Sequence, residues 1–233
     1  MLHGRPVAIL GGVRIPFCRQ NTAYADVGNL GMSVRTLGAL VEKFGLHGQQ
    51  LGEVAMGAVI KHSSDWNLGR EAALSSGLSP LTPGITLQRA CGTSLDTIVH
   101  IAGKIGTGQI ECGIGGGSDT TSDVPIVYGQ SLRRRLLKAA AAKTTGDKLA
   151  AFKGFKLSEL KPDFPGVAEP RTGKSMGNHC EDMAKEWNIS RDSQDELAVA
   201  SHLKLAAAYE QLGDEAAQHA RVGLGPQLAE HAH

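Results

Sequence analysis

From Pro6 to Gly117, extended runs alternate with helical stripes and glycines stand at the joints. This alternation restricts the fold more than any other feature of the chain. Residues 6–15 read as a strand, with Val7-Ala8-Ile9-Leu10 as a buried run. Leu30, Val34, Leu37, Val41 and Phe44 keep helical spacing, and Gly45 follows as a natural stop. Residues 53–62 read as a second strand, 68–76 as a short helix ended by Gly77, and 84–89 as a third strand. A helix beginning near Thr93 carries one apolar stripe, Leu95, Ile98, Val99, Ala102 and Ile105, and Gly106 and Gly108 end it. Residues 109–114, running into Gly115-Gly116-Gly117, make the fourth strand. Four strands alternating with three helices predict β-α-β units and a mostly parallel sheet covered on both faces, an α/β fold.

Beyond Gly117 the rhythm stops. Residues 119–173 hold Arg133-Arg134-Arg135, an alanine run from Ala139 to Ala142, and Pro125, Pro162, Pro165 and Pro170, which predicts a lid or insertion with one or two short helices. Helical patterning returns at 176–187 and at 191–212, with Ser190 as N-cap, Asp192 in the first turn and Gly213 closing the last helix. Leu197, Ser201, His202, Leu205, Ala208 and Tyr209 are expected to give that helix a buried side.

A chain of 233 residues is long enough for one core plus an excursion, and 30 glycines suit the tight turns of an α/β protein. The net charge of +1 gives no global reason to expect a nucleic-acid partner. It hides an asymmetry, however. Residues 133–174 carry eleven Lys and Arg against four Asp and Glu, a local net of +7 that suits an anionic partner. No apolar run approaches the roughly 20 residues of a membrane span. The first fourteen residues have no apolar signal region, so a cytoplasmic location is expected. Cys18, Cys91, Cys112 and Cys180 form no C-x-x-C pair and match no zinc spacing, so reduced thiols and no metal are expected.

Cys91 carries the chemistry. It sits between the third extended run and the following helix, where unpaired backbone N–H groups and the helix dipole favour thiolate over thiol. Ala90 and Gly92 leave room for a substrate, and the turn falls at the carboxyl edge of the sheet, where α/β proteins place ligands. The competing reading is a small buried hydrophobe.

Gln88-Arg89-Ala90-Cys91-Gly92-Thr93-Ser94-Leu95-Asp96-Thr97-Ile98 resembles the nucleophile turn of thiolases, the acyl-CoA C-acyltransferases. Val13-Arg14-Ile15-Pro16-Phe17, Gly57-Ala58-Val59-Ile60, Gly115-Gly116-Gly117-Ser118-Asp119 and Met176-Gly177 with Glu181-Asp182-Met183-Ala184 resemble further thiolase segments in order and spacing. So does Ser190-Arg191-Asp192-Ser193-Gln194-Asp195-Glu196 with Ser201-His202. The match runs from about residue 5 to residue 213, and the cysteine turn leans toward the branch that includes the fatty-acid oxidation complex β-subunit.

The resemblance implies a thiolase-like layered fold, the N-terminal α/β/α half with a lid insertion. It makes Cys91 the nucleophile that takes an acyl group from acyl-CoA and passes it to CoA or to the carbanion of another acyl-CoA. Coenzyme A is then a substrate, with no separate cofactor. The family also needs a histidine in Gly-His-Pro, a second cysteine in Cys-x-Gly-Gly-Gly and an asparagine, all in a C-terminal half that this sequence lacks. Gly-His-Pro occurs nowhere in the 233 residues. Cys112-Gly113-Ile114-Gly115-Gly116-Gly117 resembles the second cysteine motif but is one residue too long, and its position predicts a cysteine in a buried strand. Arg133, Arg134 and Arg135 are candidates for the phosphates of CoA, with a solvated basic surface as the alternative, and Met176 is a candidate for the pantetheine end. The glycine turn at Gly115 lacks G-x-G-x-x-G leading into a helix, which argues against NAD or FAD.

The expected organisation is a nucleophile-bearing core over 1–118, a lid over 119–174, returning core helices over 175–213, and a flexible tail over 214–233 that departs from the family. The tail histidines His219, His231 and His233 are read as tail residues rather than metal ligands. Two other readings stand beside acyl transfer: a non-catalytic truncated isoform that binds CoA or associates, and a decarboxylating ketosynthase. A lone half would expose an apolar layer, which predicts a homodimer or other oligomer.

Overall fold

A computed structural model describes residues 4–164 and 166–222. They fall into two compact units, Met1–Phe164 and Pro165–His233.

The first unit is built on α1 (Asn29–Phe44), β1 (Glu53–Gly57), α2 (Leu68–Ser75), β2 (Gly84–Leu87), α3 (Thr93–Gly106) and β3 (Gly113–Gly117). The three strands form one parallel sheet in the order β2-β1-β3, with Val54 opposite both Gly84 and Ile114. Each helix stops where a glycine permits it. Gly45 takes φ 63° after α1, and its N–H bonds to Glu42 O while that of Leu46 bonds to Val41 O.

Side-chain alternation assigns the two faces. Val54 and Met56 of β1 point to one side and join Leu37 and Val41 of α1, Ala72 and Ala73 of α2, and Leu51 and Leu78 in the apolar core. Gly57 and all three odd-numbered glycines of β3 point to the other, against α3. A Cβ on Gly113 would lie 3.0 Å from Ile101 Cδ1, one on Gly115 2.8 Å from Ile98 N, and one on Gly117 2.7 Å from Ser94 Oγ. Glycine is used here because helix and strand approach too closely for any side chain between them. Buried Glu53 fastens the same face by accepting from His100 Nε2 at 2.7 Å and Lys104 Nζ at 2.8 Å.

The fold departs from the sequence reading in several places. Residues 6–15 are not a strand. Arg5 ties their start to the end of α3, its N–H bonding Gly106 O at 3.0 Å, but Ile9 and Leu10 are more than 80% exposed. Their pattern shows a capacity for burial, and no backbone among the described residues pairs with them. The second strand ends at Gly57, well short of residue 62, because the next N–H groups bond to a side chain. Asp119 accepts from Val59 N and from Ile60 N at 2.8–3.0 Å. The fourth strand is the glycine run itself, so Cys112 precedes it and is exposed rather than buried in it. The apolar stripe of α3 also faces outward. Thr93, Thr97 and Ile101 are its buried residues, while Leu95, Ile98 and Val99 are 67, 41 and 59% exposed.

The rest of the first unit contains a two-stranded antiparallel pair, β4 (Val127–Tyr128) with β5 (Pro162–Asp163), enclosing α4 (Gln130–Ala141), α5 (Thr145–Ala150) and a 3-10 turn at Leu157–Leu160.

The second unit holds α6 (Met176–Glu186) and α7 (Arg191–Val222). Ser175 caps α6 reciprocally with Asn178, and Ser190 Oγ accepts from Ser193 N at 3.2 Å at the start of α7. Gly213 does not end α7, which runs on to Val222. An interior glycine costs a helix only about 1 kcal/mol, and the alanines after it are the best helix formers. The expected flexible tail over 214–233 is therefore helical to 222, and residues 223–233, with His231 and His233, lie outside the described residues. Leu197, Leu203 and Leu205 are exposed, so α7 lacks the expected buried side there. No described helix is long and apolar enough to cross a membrane.

Candidate active site

The chain leaves β2 at Leu87 and enters α3 at Thr93, and the five residues between turn it at the carboxyl edge of the sheet. Cys91 is in that turn and its side chain is exposed. Ala90, just before it, has φ 39°, a left-handed conformation that costs a residue with a Cβ roughly 1–2 kcal/mol. Such strain persists only where surrounding contacts impose it. Here the Gly92 N–H bonds to Arg89 O at 2.9 Å and the Thr93 N–H to Ala90 O at 3.2 Å. Thr93 Oγ1 accepts from Arg89 N at 2.8 Å and donates to Ala90 O at 2.7 Å. Arg89 Nε pairs with Asp96 Oδ1 of α3 at 3.0 Å.

The neighbouring strand ends are locked by the Gly-Gly-Gly-Ser-Asp segment. The Ser118 N–H bonds to Gly57 O at 3.0 Å, Ser118 Oγ donates to Asn29 O at 2.9 Å and meets Ser33 Oγ at 2.8 Å, and Asp119 caps β1. The glycine run thus serves helix packing and the serine–aspartate pair serves the sheet edge. Chemically the arrangement is an accessible thiol at the N-terminus of a fourteen-residue helix, held in a fixed turn.

The remaining candidates are placed as follows. Arg133 and Arg134 lie exposed on α4. Arg135 does not project with them. Nε and Nη2 bond to the two oxygens of Glu159, Nη1 donates to Ala151 O and Lys153 O, and Nη2 donates to Gly154 O. Five N–H donors are all that a guanidinium has, so Arg135 has none left for a phosphate and instead ties α4 to α5 and the 3-10 turn. Met176 begins α6 in the second unit and is exposed. Cys18, Cys112 and Cys180 are exposed free thiols. Among the described residues no group of three or more His, Cys, Asp or Glu could hold a metal ion.

Sequence reasoning missed Thr93 as a holder of the turn, Arg135 as an internal tie and Asp119 as a strand cap. A threonine two positions after a cysteine, at the first residue of a helix, is the one such signal available beforehand.

The Arg135 tie has a pH consequence. The Ser131 hydroxyl, at 2.5 Å, and the Arg135 guanidinium hold the Glu159 carboxyl below its ordinary value of 4.5. A carboxylate depressed in the fold stabilises it above the unfolded value and ceases to do so as pH falls through the lower, folded one. The segment over residues 130–160 is therefore expected to stay tied at neutral pH and to loosen only below about pH 4.5. Arg135→Ala should loosen it at every pH, raising backbone hydrogen exchange over residues 151–160 by about tenfold for a lost charged hydrogen-bond set. Exchange mass spectrometry that finds those residues unchanged in the variant would refute the tie.

Three comparisons with known proteins bear on this site. A family model described as "Thiolase, N-terminal domain" matches residues 7–215. A protein named 3-ketoacyl-CoA thiolase from Photorhabdus laumondii is 38% identical over 209 residues, 90% of this chain and 48% of its own. One of the same name from Shewanella halifaxensis is 38% identical over 200 residues, 86% of this chain and 46% of its own. The crystal structure of the Bacillus anthracis acetyl-CoA acetyltransferase superposes with a TM-score of 0.65 at 23% identity, covering 83% of this chain and 45% of that one. The chain spans about half the length of the curated relatives it matches.

Proposed function

The chain belongs to the thiolase family, and from that footing we propose that Cys91 accepts an acyl group from acyl-CoA as a thioester and returns it to CoA. In this reading the Cys91 thiolate attacks the thioester carbonyl carbon, negative charge collects on the carbonyl oxygen, and the bond to the CoA sulfur breaks. CoA leaves as a thiolate and takes up a proton, and the reverse steps discharge the enzyme. The observation that carries the reading is the accessible thiol at the N-terminus of α3, in a turn whose backbone strain is held by several hydrogen bonds. The relatives' name, 3-ketoacyl-CoA thiolase, favours a 3-ketoacyl-CoA as the natural donor and a place in fatty-acid oxidation. Arg133 and Arg134 are assigned to the CoA phosphates and Met176 to the pantetheine end, whereas Arg135 is withdrawn from the clamp.

The groups that the resemblance assigns to proton transfer are not in these 233 residues. Acyl transfer to and from Cys91 is therefore the step expected of this chain by itself, with complete turnover absent or very low. The test is to incubate it with acetyl-CoA or acetoacetyl-CoA and weigh it intact. A chain that gains no acyl mass over hours removes the proposal.

A second reading rests on the outward stripe of α3. Leu95, Ile98 and Val99 form an exposed apolar strip on an otherwise well-packed helix, which suits association, in keeping with the expected homodimer or other oligomer. Light scattering at micromolar concentration should give at least twice the 24.5 kDa chain mass, and a stable monomer would count against association.

A further inference from the structure

We infer that Thr93 is the positioning residue of the Cys91 turn, its hydroxyl fixing the backbone on the strand side of the thiol and its methyl fixing the turn against the sheet. The inference rests on the reading of Cys91 as the acyl-accepting nucleophile. Thr93 is 4% exposed, and both ends of its branched side chain are used. Its Oγ1 accepts from Arg89 N at 2.8 Å and donates to Ala90 O at 2.7 Å, so one hydroxyl bridges the N–H that enters Arg89 and the carbonyl that leaves Ala90. Its methyl fills the space that a Cβ on Gly57 would occupy at the end of β1. The turn is thereby pinned to the central strand, and Ala90 is kept at φ 39°.

Neither serine nor valine supplies both halves of this contact. Valine keeps the shape but leaves the partly buried Arg89 N–H without its acceptor, which is the costly way to lose a hydrogen bond. Serine keeps the hydroxyl and gives up only the methyl. The Arg89–Asp96 pair is a weaker accessory, since its Arg89 side chain is 74% exposed and such pairs contribute little.

Relaxation of Ala90 toward negative φ would rotate the Cys91 peptide and re-aim the thiol relative to α3. Thr93 touches no substrate in this account; it acts through the direction in which Cys91 is presented.

The four exposed cysteines provide the test, because three of them serve as controls within the same molecule. The native full chain is treated with iodoacetamide at neutral pH, and the alkylation rate of each cysteine is followed by peptide mass spectrometry. Thr93→Val should lower the rate at Cys91, relative to Cys18, Cys112 and Cys180, by about tenfold, the scale of one partly buried hydrogen-bonding group left unsatisfied. Thr93→Ser should restore it to within about twofold of the wild type on the same scale. Because the three control thiols are already exposed, general loosening is read separately, as a lowered urea midpoint by circular dichroism that Thr93→Val and Thr93→Ser would share. If Thr93→Val cannot be purified folded, Thr93→Ala removes the same hydroxyl without a misfitted methyl and carries the same expectation. A Cys91 rate unchanged or raised relative to the controls, or a Thr93→Ser variant as slow as Thr93→Val, overturns the inference. Alkylation needs no CoA, so failure of the acyl-transfer reading shows separately, as a wild-type chain that alkylates at Cys91 yet takes up no acyl group.

Discussion

Gly115→Val is expected to yield no cooperatively folded protein, while Gly103→Ala, a substitution on the helix that Gly115 faces, is expected to be neutral or mildly stabilising. A Cβ at position 115 would lie 2.8 Å from Ile98 N and 2.9 Å from Ile98 Cα and Thr97 C. These are backbone atoms of α3, so no rotamer change relieves the collision; the helix must lift from the sheet. Lifting it would break the bond from Thr97 Oγ1 to Gly116 O at 3.1 Å and the grip of His100 and Lys104 on Glu53. It would also displace the Cys91 turn, which leads directly into α3. Overpacking of side chain against side chain costs about 1–3 kcal/mol, and a clash with fixed backbone belongs above that range. Against a typical domain stability of about 5–15 kcal/mol, the loss removes most or all of the folded population. A Cβ on Gly103 meets nothing within 4 Å, and Gly to Ala inside a helix gains up to about 1 kcal/mol. Urea unfolding followed by circular dichroism reads both. A Gly115→Val midpoint equal to the wild type would mean that α3 does not sit on β3 as described.

The same glycines show where sequence reading reached and where it stopped. The helices were legible because a 3.6-residue period and a following glycine are local signals, and Gly45 after α1 and Gly108 after α3 take left-handed φ of 63° and 77°. The parallel sheet and the Cys91 turn at its carboxyl edge followed from the order of those elements. The strand Gly113–Gly117 was misplaced toward residue 109 because glycine has no preference for strands. It forms one here because α3 lies against it, a tertiary cause invisible to a local pattern. Residues 6–15 fail in the opposite sense, since an apolar run reports what a segment can bury and not whether a backbone stands beside it to pair. Charge counting found the basic segment but could not tell Arg133 and Arg134, exposed, from Arg135, whose five donors are taken by Glu159 and three carbonyls. The outward stripe of α3 belongs to the same class of error. Periodicity shows that a helix has an apolar side, but Thr93, Thr97 and Ile101 take the sheet-facing side, where a row of glycines leaves room for the helix to approach closely.

Cys91→Ala is expected to abolish uptake of acyl groups from acyl-CoA, although three other exposed thiols remain in the chain. Any accessible thiol exchanges slowly with a thioester, so the total mass gained by the wild type is a weak criterion. Its distribution is a strong one. Cys18, Cys112, Cys180 and Cys91 are all exposed, and accessibility alone would spread the label among them. Only Cys91 combines exposure with the turn leading into the N-terminus of α3, the carboxyl edge of the sheet and a strained backbone held by several hydrogen bonds. Cys180 lies within α6 and Cys112 before an edge strand, positions without that combination. Label from acetyl-CoA should therefore be found at Cys91, and its loss in Cys91→Ala should lower the initial rate of uptake by at least about a hundredfold, within the range seen when a catalytic nucleophile is removed. Cys91→Ser should not rescue, because a hydroxyl is a weak nucleophile without an adjacent base to activate it. Cys112→Ala should leave uptake unchanged, since its likeness to a second catalytic cysteine rests on a motif one residue too long. Peptide mapping of the acylated chain decides the matter: label spread evenly over four thiols, or undiminished in Cys91→Ala, would show that this turn confers no special reactivity.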